Sequence, residues 1–303
     1  MSMDRVETGR FRTERVVSKT PDLIRIVSWN IARGCRLDGV TEFLFNVKAD
    51  LIILQETDRN SRRTSYRNIA REISQKLGMN YAFGIEFQEL SQGSPDDPAF
   101  HGQATLSPWP ISNSRILRFQ RQSKFWRPYW WLPKLPSLQR RLGGRMALRS
   151  CVTIGNRTLV VYNLHLESRR EDALRCAQLM ELLEDANQYS VNLPVIATGD
   201  FNFDITQPSP ASAIAKARFS NPFDSLRIHT TRPSRFGRSK PVDWVLIRGI
   251  LQAGTAQVHS SITASDHYPL SLELHFPPLA KPAKVAASSP ENLGCPNSVD
   301  CPH

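Results

Sequence analysis

Two kinds of apolar block alternate along this chain. The first is a short run rich in Val, Ile, Leu and Phe, bounded by Gly, Pro, Asn or Asp, and it predicts a buried strand. Such runs cover residues 23–28, 51–54, 80–87, 103–106, 146–154, 158–164, 195–200, 242–247, 256–258 and 270–276. The second kind repeats at helical spacing. Leu37, Val40, Phe43, Leu44 and Val47 predict a helix over 37–47, and Ile69, Ala70, Ile73 and Leu77 predict one over 66–77, closed by Gly78. A third covers 171–187, with Leu174, Ala177, Met180 and Leu183 as its buried stripe, and 208–221 reads as a loop with a short helix. Gly155-Asn156 predicts a hairpin turn, because both residue types tolerate positive φ.

The remaining segments break the pattern. Residues 1–21 are polar, end at Pro21 and read as a flexible arm; 277–303 are rich in Pro, Ala and Ser and read as disordered. Residues 119–144 are basic, Trp-rich and broken by proline, which marks an insertion between strands of a single domain over 22–276. No apolar stretch approaches the roughly 20 residues of a membrane-spanning helix. The start of the chain lacks the apolar core of a secretory signal. Five cysteines, odd in number and irregular in spacing, do not form a disulfide framework. A cytoplasmic protein with reduced thiols is expected.

The net charge is +11, and its placement says more than the total. Between Asp97 and Glu167 there is no acidic residue, but there are eleven Lys or Arg; a second basic segment runs over 227–248 with Asp243 as its one acid. Such a field attracts nucleic acid or an anionic lipid surface. Within it, residues 125–134 interleave aromatics with cations. Arg121, Lys124, Arg127 and Arg145 are candidate phosphate contacts, and Trp130 and Trp131 a candidate platform for stacking bases. The same tryptophans suit a membrane interface, or cover a core edge.

Six fragments place polar residues at or just beyond apolar runs, where a sheet gathers them at one end. They are Ser28-Trp29-Asn30, Leu54-Gln55-Glu56, Asn163-Leu164-His165-Leu166, Gly199-Asp200-Phe201-Asn202, Val242-Asp243-Trp244 and Ser265-Asp266-His267-Tyr268-Pro269. Taken singly, each has an ordinary explanation as a turn, a cap or a satisfied core histidine. In this order and spacing they resemble the endonuclease/exonuclease/phosphatase superfamily, the deoxyribonuclease-I-like fold, over residues 22–276. The resemblance implies an α/β four-layer sandwich, with two mixed β-sheets packed face to face and helices outside.

It also implies chemistry. Hydrolysing a phosphoester at neutral pH needs a base, a metal and fixed donors for developing charge. By resemblance Glu56 is an Mg²⁺ ligand, with Mn²⁺ as a substitute, and Asn30 and Asp266 complete or orient that shell. Asp200 orients or deprotonates the attacking water, and Asn202 holds phosphate or water beside it. His267 stands near the scissile phosphate with Asp243 fixing its tautomer, and His165 donates to a non-bridging oxygen. Residues 163–168 are similar to the 5′-tyrosyl-DNA phosphodiesterases, whereas Ala32 stands where some repair nucleases carry an acid. The expectation is an Mg²⁺-dependent phosphodiesterase acting on nucleic acid. Its rivals are an enzyme for phospholipid or inositol-phosphate headgroups and a catalytically inactive nucleic-acid-binding module.

Overall fold

A computed structural model describes residues 3–11, 21–123, 141–169, 172–226, 231–233 and 239–277. The first half contains β1 (Glu7–Gly9), β2 (Leu23–Arg33), α1 (Leu37–Asn46), β3 (Leu51–Arg59), α2 (Ile69–Leu77), β4 (Asn80–Glu89), β5 (Ala99–Ser107) and β6 (Ile111–Arg118). The second contains β7 (Arg141–Gly143), β8 (Met146–Ile154), β9 (Arg157–His165), α3 (Asp172–Ala186), β10 (Val195–Asp200), α4 (Pro208–Lys216), β11 (Asp243–Arg248), β12 (Gln252–Val258) and β13 (Leu270–His275). One sheet has the order β1-β4-β5-β3-β2-β13-β12, with β7 also paired to β4; the other has the order β11-β10-β9-β8-β6.

The strands read as continuous apolar runs because most are buried on both faces. Ile24, Ile26, Leu51 and Ile53 of the larger sheet pack with Val152, Ile154, Leu159, Val161 and Ile196 of the smaller, forming the layer between them. On the outer face of the larger sheet, Val27, Ile52 and Leu54 pack with Val40, Phe43 and Leu44 of α1 and Ile69 and Ile73 of α2. Outside the smaller sheet, Val160, Tyr162, Val195 and Ala197 pack with Leu179, Leu182 and Leu183 of α3 and Ile214 of α4. This is the four-layer sandwich that the motif resemblance implies. No helix of the described residues is long and apolar enough to cross a membrane.

Several expectations are corrected. Part of the segment expected to be a flexible arm forms β1, which pairs antiparallel with β4. Its polar Glu7 accepts hydrogen bonds from Tyr81 at 2.6 Å and Asn68 at 2.8 Å and pairs with Arg59 at 2.7 Å. The helix expected from residue 66 starts later, because Ser65 and Tyr66 have φ of 55° and 57° and Asn68 caps α2 through the Arg71 N–H. The stripe of α3 turns to Leu179, Leu182, Leu183 and Ala186, leaving Met180 exposed. That rotation lets Arg175 donate to the Glu167 carbonyl at 2.7 Å, and Gln178 accept the Glu167 N–H at 2.9 Å. The expected insertion over 119–144 contributes the buried Phe119 and β7. Residues 12–20, 124–140 and 278–303 lie outside the described residues, and with them Lys124, Arg127, Trp130, Trp131 and the expected disordered tail.

Candidate active site

Topology collects the polar residues. β2 runs parallel to β3, and β9 parallel to β10, so Asn30, Glu56, His165 and Asp200 all stand toward the C-terminal ends of their strands. β11 and β13 run antiparallel to these neighbours, so Asp243 opens β11 directly opposite Asp200 and His267 stands just before β13. The local backbone is specialised. Gly199 has φ of 145°, and a Cβ there would lie 2.0 Å from the Leu164 carbonyl oxygen, so only glycine lets β10 pass this close to β9. Glu56 and Asn202 have φ of 52° and 58°. The β3–β5 register shifts between Leu54 and Thr57, and a bulge of this kind re-aims the side chain it carries.

Asp200 is the centre of the site. Its Oδ1 accepts the Asn202 N–H at 2.9 Å, and its Oδ2 accepts the Asn30 amide at 3.1 Å. Two imidazoles converge on that same Oδ2, His165 Nε2 at 3.5 Å and His267 Nε2 at 3.8 Å. Each ring has a carboxylate behind it at Nδ1: Asp243 hydrogen-bonds to His267 at 2.8 Å, and Glu86 stands 3.2 Å from His165 without hydrogen-bond geometry. Glu86 is in turn bound by Arg145 Nη1 at 2.7 Å. The loop carrying His267 is tied down by the Trp29 indole, which donates to the His267 carbonyl at 2.9 Å, and by Ser265, which donates to the Asn30 carbonyl at 2.6 Å. Thr231 Oγ1 accepts the backbone N–H groups of Val242 and Asp243.

Electrostatics follows from this packing. Burial alone would lower the His267 pKa, but the Asp243 and Asp200 carboxylates beside it push it up to about 9. Burial would raise the Glu86 carboxyl, but His165 and Arg145 bring it down to about 2. Burial opposes ionisation of Glu56 as well, yet His101, then His165, Arg33 and His267, hold it well below the usual carboxylate range. If catalysis uses the His267 imidazolium, activity is lost as pH rises through its folded pKa. Asp243→Asn should therefore lower kcat/KM by about tenfold or more and move the basic limb of the pH profile down from about 9 toward neutrality. An unchanged limb would make Asp243 a purely structural residue.

A divalent cation fits the donor set. Glu56 is anionic, about a fifth exposed, and its nearest cation is Arg33 Nη2 at 3.9 Å. Asp266 is half exposed, with Arg232 3.4 Å away. These are oxygen ligands suited to a hard cation that keeps some of its waters. Asp200, Asp243 and His267 have ligand atoms within 4.8 Å of one another, the one such group among the described residues. The His267–Asp243 hydrogen bond at 2.8 Å and the approach of His267 Nε2 to Asp200 at 3.8 Å account for that closeness. Asn30 is turned to the protein: its Oδ1 accepts the Ala32 N–H at 3.1 Å and its amide serves Asp200.

The basic span behaves differently from its sequence. Arg145, expected as a phosphate contact, is 3% exposed and held by Glu86 and Ser168 within the site wall. Arg118 donates to the Gly144 and Ile85 carbonyls, Arg115 pairs with Asp185, and Arg141 pairs with Glu89. Arg121 is exposed. Glu86 belongs to this cluster and strand-end reading missed it, as it missed the buried Asp58–His101 pair. The signal available was an ionisable residue inside a buried strand run, as Glu86 stands between Ile85 and Phe87.

Comparison with known proteins agrees with the geometry. The endonuclease/exonuclease/phosphatase family model matches residues 27–267. An endonuclease/exonuclease/phosphatase structure from Beutenbergia cavernae is 16% identical, with a TM-score of 0.61, covering 84% of this chain and 72% of that one. TDP2 from Caenorhabditis elegans is 17% identical, with a TM-score of 0.57 and coverage of 84% and 75%. The human Nocturnin catalytic domain, solved with a bound sulfate anion, is 18% identical, with a TM-score of 0.58 and coverage of 89% and 97%. No curated protein matches in sequence. Family model, sheet order and site geometry converge: this chain belongs to the endonuclease/exonuclease/phosphatase family of metal-dependent phosphoester hydrolases.

Proposed function

We propose that this chain is an Mg²⁺-dependent phosphodiesterase acting on nucleic acid. The observation that carries the chemistry is the convergence of two carboxylate-backed imidazoles on one oxygen of Asp200 at a shared sheet edge. In this reading Asp200 orients the attacking water and takes its proton, held in place by Asn30 and the Asn202 N–H. His267, kept protonated by Asp243, faces the phosphoryl oxygens as a buried cation, and His165 supplies a second donor. Asn202 turns its amide to the Leu166 carbonyl at 3.1 Å, which leaves its oxygen for the water or substrate. Glu56, with Asp266, would hold the Mg²⁺, which supplies charge neutralisation when bound.

The net charge of +11 supports a polyanionic substrate. The decisive experiment incubates the full chain with short single-stranded DNA and RNA, beside phospholipid and inositol-phosphate substrates, with Mg²⁺ and with excess chelator. Cleavage of DNA or RNA that depends on Mg²⁺ is expected. Hydrolysis that survives the chelator would remove the metal from the reading. Turnover of lipid headgroups alone would replace the substrate class and keep the chemistry.

A further inference from the structure

A third imidazole in this region is built like the first two. Asp58 and His101 are cross-strand partners on β3 and β5, with His101 Nδ1 2.9 Å from Asp58 Oδ1 and both side chains buried. The His101 ring also stacks on Phe87, centroids 6.4 Å apart at 26°. Neutralising Asp58 is not the reason for the imidazole. Arg63 already does so, with Nε 2.7 Å from Oδ2 and Nη2 2.8 Å from Oδ1, and is itself anchored to Glu89 at 3.1 Å. Asp58 therefore positions His101.

His165 and His267 turn Nε2 toward Asp200, whereas His101 Nε2 has no hydrogen-bond partner among the described residues. In the neutral ring, donation from Nδ1–H to Asp58 leaves the Nε2 lone pair free. A carboxylate behind Nδ1 is the arrangement that orients metal-binding histidines. Glu56 emerges from the bulge between Leu54 and Thr57, immediately beside the Asp58–His101 pair, and the His101 ring lies within electrostatic reach of its carboxylate.

We propose that His101, through Nε2, joins Glu56 as a ligand of the divalent cation, with Asp58 fixing its tautomer. An imidazole nitrogen in the set favours a transition-metal ion such as Mn²⁺ over Mg²⁺, because Mn²⁺, although hard, accepts nitrogen ligands more readily. This inference rests on the metal-dependent reading above. The test uses the full chain loaded with Mn²⁺, electron spin-echo spectroscopy to detect nitrogen bound to the ion, and calorimetric titration of Mn²⁺ and Mg²⁺. His101→Asn keeps a donor for Asp58 and removes Nε2; His101→Ala removes both, with melting curves checking the fold of each.

Wild type should show nitrogen coupling to Mn²⁺. His101→Asn should lose that coupling and bind Mn²⁺ about tenfold more weakly or worse, with a smaller loss for Mg²⁺. Bound Mn²⁺ without nitrogen coupling, or coupling that persists in His101→Asn, overturns the inference alone. Failure of the wild type to bind any divalent cation overturns the metal-dependent reading together with it.

Discussion

Asp200→Asn should lower kcat/KM on a phosphodiester substrate by about a hundredfold or more while leaving the protein folded. The substitution conserves size at a buried position, so packing against the sheet edge is kept. Its electrostatics are not conserved. Asp200 accepts the Asn202 N–H through one oxygen and the Asn30 amide through the other, and Asn has a single acceptor, so one of the two donors loses its partner. The two imidazoles then face a neutral group, and no carboxylate remains at the point where they meet. His267→Gln should act as severely, because on the proposed mechanism it removes the cation that faces the phosphoryl group but keeps a polar side chain for buried Asp243. Turnover of each purified variant on a DNA oligonucleotide, beside its circular dichroism spectrum and melting curve, checks both. Near wild-type rates in folded variants would place the chemistry elsewhere.

The strand ends were legible because a polar residue that follows a buried apolar run has few places to go except the sheet edge. Asn30, Glu56, His165 and Asp200 follow that logic, and parallel pairing of β2 with β3 and of β9 with β10 does the rest. Glu86, Asp58 and His101 obey a different one. They lie within strands, and their roles depend on cross-strand register and on a bulge, neither of which apolar periodicity encodes. The long polar bridge between sheets was equally hidden: Gln55 donates to Asn163 at 2.8 Å, and Asn163 donates to the Leu54 and Ala104 carbonyls at 2.9 Å each. Apolar patterning marks Gln55 only as the neighbour of Glu56.

The acid-free span misled for a related reason. Counting charges along the sequence ignores acids that arrive from elsewhere, and Glu86, Glu89 and Asp185 come from β4 and α3 to meet Arg145, Arg141 and Arg115. Much of that positive charge therefore holds strands together. A basic residue is a candidate phosphate contact only where folding leaves its guanidinium or ammonium group open; among the described members of the span Arg115 and Arg121 are exposed, and Arg115 is paired with Asp185.

Glu56→Gln should abolish tight divalent-cation binding and reduce turnover by about a hundredfold or more. Glu56 occupies left-handed backbone at φ 52°, a conformation that costs a non-glycine residue on the order of 1 kcal/mol or more and persists only where the surroundings enforce it. Gln carries the same backbone penalty, so the comparison isolates charge. The carboxylate is flanked by His101, His165, Arg33 and His267, a field that keeps it anionic without closing it in a tight ion pair, since Arg33 stays 3.9 Å away. An amide at the same place offers a hard cation one neutral oxygen in place of a charged carboxylate. Calorimetric titration with Mn²⁺ and Mg²⁺ should show heat in the wild type and none in the variant, with melting curves to verify that both are folded. Wild-type affinity in Glu56→Gln would move the metal away from β3, and the buried group of Asp200, Asp243 and His267 would then be the place to look for it.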